Sequence, residues 1–399
     1  MRAAHEVADV LRKHWSEIEH HPHINGWQLR TLSAIKKCRT IELGGHTDAC
    51  TTCGTVRASY NSCRNRHCPK CQGKEREAWI ERREFELAQI TSIAEQGERS
   101  SGLFHVVFTL PDTLNTLAMY QPKHVYDALF EAAWGTISTF GHDPKHLGAQ
   151  AGMISILHTW GQQLTLHPHL HCIIPGGGLT KEGKWKTARN RGKYLFPVKA
   201  MSKVFRAKYV CALKERIQDL DKRLIDELFK KDWVVYAKRP FGDINAVIEY
   251  LGRYTHKIAI SNHRIKNIGD NGVTFTYKDY RDGSQNKELT LASMEFIRRF
   301  SMHILPRGYV RIRHYGILSS TGKKKSLPLI EEQIQTPCAA LVPTGMPRRE
   351  PTSMDVYNPR LCPCCKTETM ITIEIMEKRG PPVVNLNWKN SIQKMDVDF

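Results

Sequence analysis

The segment Leu166-His167-Pro168-His169-Leu170-His171-Cys172-Ile173-Ile174 sets three imidazoles at alternate positions against an apolar run. On a β-strand, residues two apart share a face. His169 and His171 then offer neighbouring ring nitrogens to one divalent ion while Leu170 turns into the core, and His167 joins them if the strand runs through Pro168. Neutral imidazole is a common metal ligand. A lone histidine is more often a packed or surface residue, but three in alternation beside an apolar strand point to metal binding.

Tyr250 and Tyr254 lie in Ile248-Glu249-Tyr250-Leu251-Gly252-Arg253-Tyr254, four apart on an expected helix, so both hydroxyls project from one face. Alone, such a pair is more often ordinary packing. Beside a metal site it takes on another meaning, because a phenol with a solution pKa near ~10 needs help to act as a nucleophile. A divalent ion on a phosphate supplies that help.

The cysteines suggest a second kind of metal site. Cys50-x2-Cys53 and Cys68-x2-Cys71 have the spacing with which two thiolates grip one zinc from a tight turn, and together they make four ligands for a closed tetrahedral site. Cys38, His46, Cys63 and His67 interleave with them, an order that permits a second, cross-braced zinc; the alternative is that Cys63 or His67 packs beside a single site. One or two Zn²⁺ are therefore expected. Their role is structural, since a filled ligand set leaves no open position. Arg64, Arg66 and Lys70 surround the second turn and suggest a DNA grip, against the plainer reading of a solvated charged face. Cys362-Pro363-Cys364-Cys365 has no obvious mate: half a zinc site, a redox pair and surface cysteines all stay open.

The whole chain suits this chemistry. It has 399 residues, 41% hydrophobic and 25% charged, enough for one large core and smaller modules and too apolar for wholesale disorder. Lys and Arg number 59 against 40 Asp and Glu, a formal charge of +19 spread along the chain, which favours a polyanion as partner. No secretory signal or membrane span is evident, so the expected location is the cytoplasm, where thiols stay reduced. No Walker-type phosphate loop is found, and no ATP is expected.

The elements that position these residues read as α+β. An amphipathic stripe at Val7, Val10, Leu11, Trp15 and Ile18 predicts a first helix, and residues 73 to 96 predict another, with Ile90 and Ile93 on its apolar side. Strands are expected at 104 to 110, 154 to 160, 166 to 174, 233 to 237, 257 to 261, 273 to 280 and 309 to 313. Helices are expected at 122 to 140 and along the stripe Val210, Leu213, Ile217, Leu220, Leu224 and Leu228. A further helix runs from a cap at Asp243 to about residue 254. The expected divisions are 1–98, a zinc-binding and DNA-binding module; 99–320, the catalytic domain; and 321–399, a basic tail. Residues 181 to 194, with Lys184, Trp185, Lys186, Arg189 and Arg191, combine cations and aromatics as in a single-strand groove; a basic hairpin tip over a packed Trp185 is the alternative.

The order of a strand ending Phe-Thr-Leu, then His-Leu-His, then Tyr-x-x-x-Tyr resembles the HUH endonucleases. The cysteine module and Tyr-Leu-Gly-Arg-Tyr-Thr-His-Lys resemble, more narrowly, the insertion sequence ninety-one family of transposases, over roughly residues 5 to 320. The resemblance implies an antiparallel sheet flanked by helices, with an N-terminal helical zinc-binding module. It also implies that His169 and His171 hold Mg²⁺ or Mn²⁺, with His167 the candidate third ligand, and that Tyr250 and Tyr254 are the nucleophiles. The activity implied is rolling-circle transposition. Single-stranded DNA of transposon ends and target is nicked and rejoined through 5′-phosphotyrosine, with a host helicase and polymerase as partners in a bacterial, nucleoid-associated setting. A plasmid replication initiator or relaxase would share the site. A non-catalytic zinc-dependent DNA-binding regulator would explain the cysteines and charge but not the histidine strand.

Overall fold

The computed structural model describes residues 3–71, 86–90, 92–93, 102–188, 195–238, 258–280, 282–334, 358–378 and 383–384. Its strands are β1 (Gly45–Cys50), β2 (Val56–Tyr60), β3 (Leu103–Thr109), β4 (Gly152–Trp160), β5 (Leu166–Pro175), β6 (Gly177–Leu179) and β7 (Trp185–Thr187). They continue with β8 (Val235–Lys238), β9 (Ile265–Gly269), β10 (Gly272–Asp279), β11 (Gln285–Leu291), β12 (Ile312–Gly316), β13 (Met370–Met376) and β14 (Val383–Val384). Helices accompany them, and every strand pair is antiparallel, so the fold is α+β as expected. No helix among the described residues is long and apolar enough to cross a membrane.

The chain forms two units, Met1–Gln72 with Thr344–Phe399, and Gly73–Pro343. This corrects the expected three-part division. Residues 321–399 are not a tail of their own: Ser320–Glu331 is a helix of the second unit, while β13 pairs with β1 in the first. Met370, Ile373 and Met376 are the buried positions of β13; their spacing of three instead of two goes with a register shift in its pairing with β1 between Thr47 and Asp48.

In the first unit the helices Val7–Lys13, Trp15–Glu19 and Gly26–Lys36 bury Val7, Val10, Leu11, Ile18, Leu32 and Ile35. The stripe read as one helix breaks at His14, whose ψ of 22° falls outside the helical range. Asn25 caps the third helix by accepting from the N–H groups of Trp27 and Gln28, and Gln28 returns a bond to its backbone. That helix ends at Lys37 and delivers Cys38 into the interior. The sheet order is β14-β13-β1-β2.

The second unit is built on a five-stranded sheet in the order β12-β4-β5-β3-β8. Alternation on β5 gives it two different faces. Leu166, Leu170, Cys172 and Ile174 join Phe104, Val106 and Phe108 of β3 in a core with the helices Pro122–His142 and Val198–Arg216. Burying each of these larger side chains contributes about 1.5–3 kcal/mol. On the other face Ile173 meets Ile154 and Ile156 of β4, covered by Leu87, Ile90 and Ile93 and by Ile317, Leu318 and Ile330. The histidines of β5 continue this second face beyond its apolar part.

Several expected elements differ in detail. The stripe from Val210 to Leu228 spans two helices, Val198–Arg216 and Lys222–Lys230, because Asp221 accepts from the N–H of Arg223 and starts a new helix while the apolar spacing continues against one core. Residues 258–261 form no strand, although Ala259 and Ile260 are buried. The strand near 309 to 313 is β12, three residues further on. β10 is joined on either side by β9 and β11, which were not foreseen because their composition is largely polar. Gly178 lies within β6, where a Cβ would lie 2.3 Å from the carbonyl oxygen of Gln150, so glycine permits the bridge between Gln150 and Leu179.

Candidate metal centres and DNA contacts

β4 and β5 run antiparallel with His158 opposite His169 and Ile156 opposite His171. This register brings a third imidazole to the two foreseen from the sequence. One ring nitrogen from each of His158, His169 and His171 lies within 4.8 Å of the others. Nε2 of His169 stands 3.1 Å from Nε2 of His171, the spacing of adjacent ligands on an ion held at about 2.1 Å. The group is inside the protein: His158 and His171 are buried and His169 partly so.

Hydrogen bonds turn these rings toward one another. Nδ1 of His169 donates to the backbone carbonyl of His167 at 2.6 Å, which leaves Nε2 as the lone-pair nitrogen. Nδ1 of His171 lies 3.0 Å from Nε2 of His105 on β3, and the two rings stack with centroids 5.2 Å apart. If His171 donates there, its Nε2 also faces the group as a lone pair. Burial lowers the pKa of His169 to about 4, opposed by the bond to the His167 carbonyl, so the ring is neutral at pH 7. His158 stacks on Trp160 at 4.7 Å, and Trp160 stands edge-on to His303 at 6.1 Å. His303 is fixed between the Thr159 hydroxyl and the Leu164 carbonyl, and burial brings its pKa to about 4.

Among the described residues the histidine group that could hold an ion contains His158 and not His167. His167 shares the histidine face of β5 but is exposed, and its contribution to the cluster is its backbone carbonyl. The sequence reading did not single out His158, although its strand was foreseen, nor His105, which contacts His171. Tyr250 and Tyr254 lie outside the described residues, as does the expected helix that carries them.

The cysteines regroup. Sγ atoms of Cys38, Cys63, Cys68 and Cys71 lie within 4.8 Å of one another, with Cys38 and Cys71 at 3.4 Å and Cys63 and Cys71 at 3.6 Å. Cys50 and Cys53 do not stand with Cys68 and Cys71, as their spacing suggested; they face Cys362 and Cys365. The reason is topological, because β13 lies beside β1 and brings the late pair to the turn after β1. His46 and His67 belong to neither group. Nε2 of His46 is 3.3 Å from Asp48 Oδ2 on the same strand, and His67 is buried in the turn whose backbone N–H donates to Asn65. Within the first group hydrogen bonding from Cys63 lowers Cys38 to about 7, and bonds with Cys38 and Cys63 draw Cys71 lower still, while Cys38 pushes Cys63 and Cys68 up. Four crowded thiols thus compete to be the anion that a cation would satisfy.

The basic residues separate by surroundings. Arg64 is exposed at a left-handed position, φ 50°, whereas Arg66 is half-buried and its pKa is lowered by desolvation. Lys70 is engaged by Glu6 at 2.5 Å. In the second unit Lys184 is exposed at the β6–β7 hairpin and Lys186 is half-buried. Trp185 packs against the Ile154, Ile156 and Ile173 cluster and over Gly177, which favours the packed reading of this ring over a stacking platform. Arg189 and Arg191 lie outside the described residues.

The second unit thus carries a histidine group that could hold a metal on its antiparallel sheet, and the first carries two cysteine groups that could do the same. Residues 152–326 match a family model described as "Putative transposase", and residues 10–110 match one described as "Transposase zinc-binding domain", of IS91 type. A "Putative transposase" of Sinorhizobium fredii is 39% identical over 404 residues, covering 96% of this chain and 98% of that protein. The transposase for insertion sequence element IS801 of Pseudomonas savastanoi pv. phaseolicola is 28% identical over 334 residues, covering 80% of this chain and 77% of that protein. No solved structure matches the chain. The chain belongs to the IS91 family of transposases, and its N-terminal module is a structural zinc-binding domain.

Proposed function

We propose that this transposase nicks and rejoins single-stranded DNA at the ends of its element by a rolling-circle route. The observation that carries the reading is the convergence of His158, His169 and His171 on one point of the sheet. Three convergent imidazoles could hold a divalent ion, and Mg²⁺ or Mn²⁺ bound there would polarise a phosphate oxygen of the substrate. His169 and His171 are ligands in this reading, and His105 holds the ring of His171.

Tyr250 and Tyr254 are the proposed nucleophiles. The phenolate oxygen attacks phosphorus, the bond from phosphorus to the 3′ oxygen breaks, and the 3′ oxygen leaves as a hydroxyl after taking a proton. A 5′-phosphotyrosine remains, and its bond energy permits rejoining without ATP. Arg64, Lys184 and neighbouring cations supply affinity for the backbone. Strand unwinding and synthesis fall to a host helicase and polymerase, in the cytoplasm of a bacterium and at its nucleoid.

The test is incubation of the full-length protein with Mn²⁺ or Mg²⁺ and single-stranded oligonucleotides of the element ends, followed by denaturing electrophoresis and peptide mapping. A covalent adduct on Tyr250 or Tyr254 is expected. Cleavage with no adduct, or an adduct on another residue, would overturn the assignment.

A further inference from the structure

Cys50 ends β1 and Cys53 lies in the turn from β1 into β2, while Cys362 and Cys365 precede β13, the strand on the other side of β1 from β2. Two C-x2-C turns thus meet across one strand. Cys50 Sγ lies 3.6 Å from Cys365 Sγ, Cys53 Sγ lies 3.6 Å from Cys362 Sγ, and all four sulfurs fall within 4.8 Å of one another. Sulfurs placed tetrahedrally at about 2.3 Å from one zinc are roughly 3.8 Å apart. A disulfide would need about 2.05 Å, and all four are free thiols.

Three of the sulfurs have a hydroxyl within hydrogen-bond reach. The Thr369 hydroxyl is 3.1 Å from Cys50, the Thr55 hydroxyl 3.1 Å from Cys53 and the Thr367 hydroxyl 3.0 Å from Cys365. The Cys53 backbone N–H also donates to Cys50 Sγ at 3.4 Å. Hydroxyls beside three of the four sulfurs can donate to a thiolate, which would favour and orient the deprotonated, ligating form. An all-sulfur set selects zinc over Mg²⁺ or Ca²⁺.

We propose that Cys50, Cys53, Cys362 and Cys365 bind a second structural Zn²⁺ that fastens the C-terminal segment to the N-terminal zinc-binding unit. The match to the zinc-binding family ends at residue 110, so half of this ligand set lies beyond it. Residues 73–343 are then an insertion between two halves of one metal-closed unit. Cys53 and Cys362 are 309 positions apart, and the ion closes that long loop much as a disulfide would in an oxidising compartment.

Elemental analysis of the full-length protein should give two zinc ions per chain, and the pair Cys362→Ser and Cys365→Ser should give one. Two ions in that variant would overturn the proposal. Thiol alkylation of the unmodified zinc-loaded protein needs no variant. Cys211 and Cys364, both exposed, should react quickly, whereas Cys53, also exposed, and the half-buried Cys365 should be protected until a chelator releases them together with Cys50 and Cys362. Labelling of Cys53 and Cys365 as fast as Cys364 before chelation, or an intact mass showing a Cys53–Cys362 disulfide, would refute it. None of these readouts uses DNA, so they stand apart from the nuclease reading.

Discussion

His158 of β4 stands directly opposite His169 of β5, and their rings meet edge-to-face at 5.4 Å between centroids. The ion proposed for this cluster is therefore expected to depend on both strands. His158→Ala should abolish Mn²⁺-dependent cleavage as fully as His169→Ala or His171→Ala, while each variant keeps single-strand affinity within about twofold, because the backbone cations supply most of that term. His167→Ala should retain cleavage. Loss in His167→Ala with retention in His158→Ala, measured on the same oligonucleotide, would restore His167 as the ligand.

His105 acts on the site through His171. In the tautomer in which His171 donates, His105→Phe removes the acceptor of its Nδ1 and frees the ring to turn, so Mn²⁺ affinity should fall by about 10–100-fold, in the range found for partners that orient metal ligands. His105→Gln keeps an acceptor oxygen and should recover part of the loss. Titration of Mn²⁺ by isothermal calorimetry in the two variants reads the difference, and equal affinity in both would remove His105 from this role.

The contrast between His171 and His158 shows what a sequence carries. Period-two alternation made the face of β5 readable, since His169 and His171 are separated by a single residue. His158 lies in a strand that was equally readable, yet its place beside His169 depends on the register of β4 against β5, which is set by the turn at 161–165 and by packing on both faces. The cysteines repeat the lesson. Local spacing identified the Cys50-x2-Cys53 and Cys68-x2-Cys71 turns correctly, but pairing between turns is a tertiary property, and β13 brings Cys362 and Cys365 from the far end of the chain. Helix boundaries at His14 and Asp221 were hidden because apolar spacing persists across a break when both pieces pack on one core.

Metal and fold should be one equilibrium in the first unit. Its helices are short and Cys38, Cys50, Cys68 and Cys362 are buried within it, so stripping zinc leaves buried thiols with no common cation. Verified zinc removal should lower its unfolding midpoint sharply, as read by near-ultraviolet circular dichroism. An unchanged transition after complete removal would contradict this.

Acid should weaken the metal-free second unit before its carboxylates titrate. Burial depresses His169 and His303 to about 4, against about 6.5 in an unfolded chain. The unfolded state then binds more protons between those values, so their contribution is complete above pH ~6.5 and is lost as the pH falls toward 4. Urea midpoints measured in chelator should fall across that window, and His303→Gln should fall less steeply than the parent. A steeper fall in the variant would show that His303 is not the buried neutral ring described here.

Phe substitution at the tyrosines tests the nucleophile itself. If Tyr250 and Tyr254 share one helix face beside a single metal, either oxygen can approach the ion, but only one can lie in line with the scissile bond at a time. Phe removes the attacking oxygen and preserves ring volume, so folding and DNA affinity should change little. The double variant Tyr250→Phe with Tyr254→Phe should form no covalent adduct with a single-stranded oligonucleotide. Each single variant should still nick a simple substrate if the two are interchangeable, yet fail in complete transposition if one must hold the first strand end while the other attacks the second. An adduct in the double variant, located by peptide mapping, would name a different nucleophile and leave the tyrosine pair to packing.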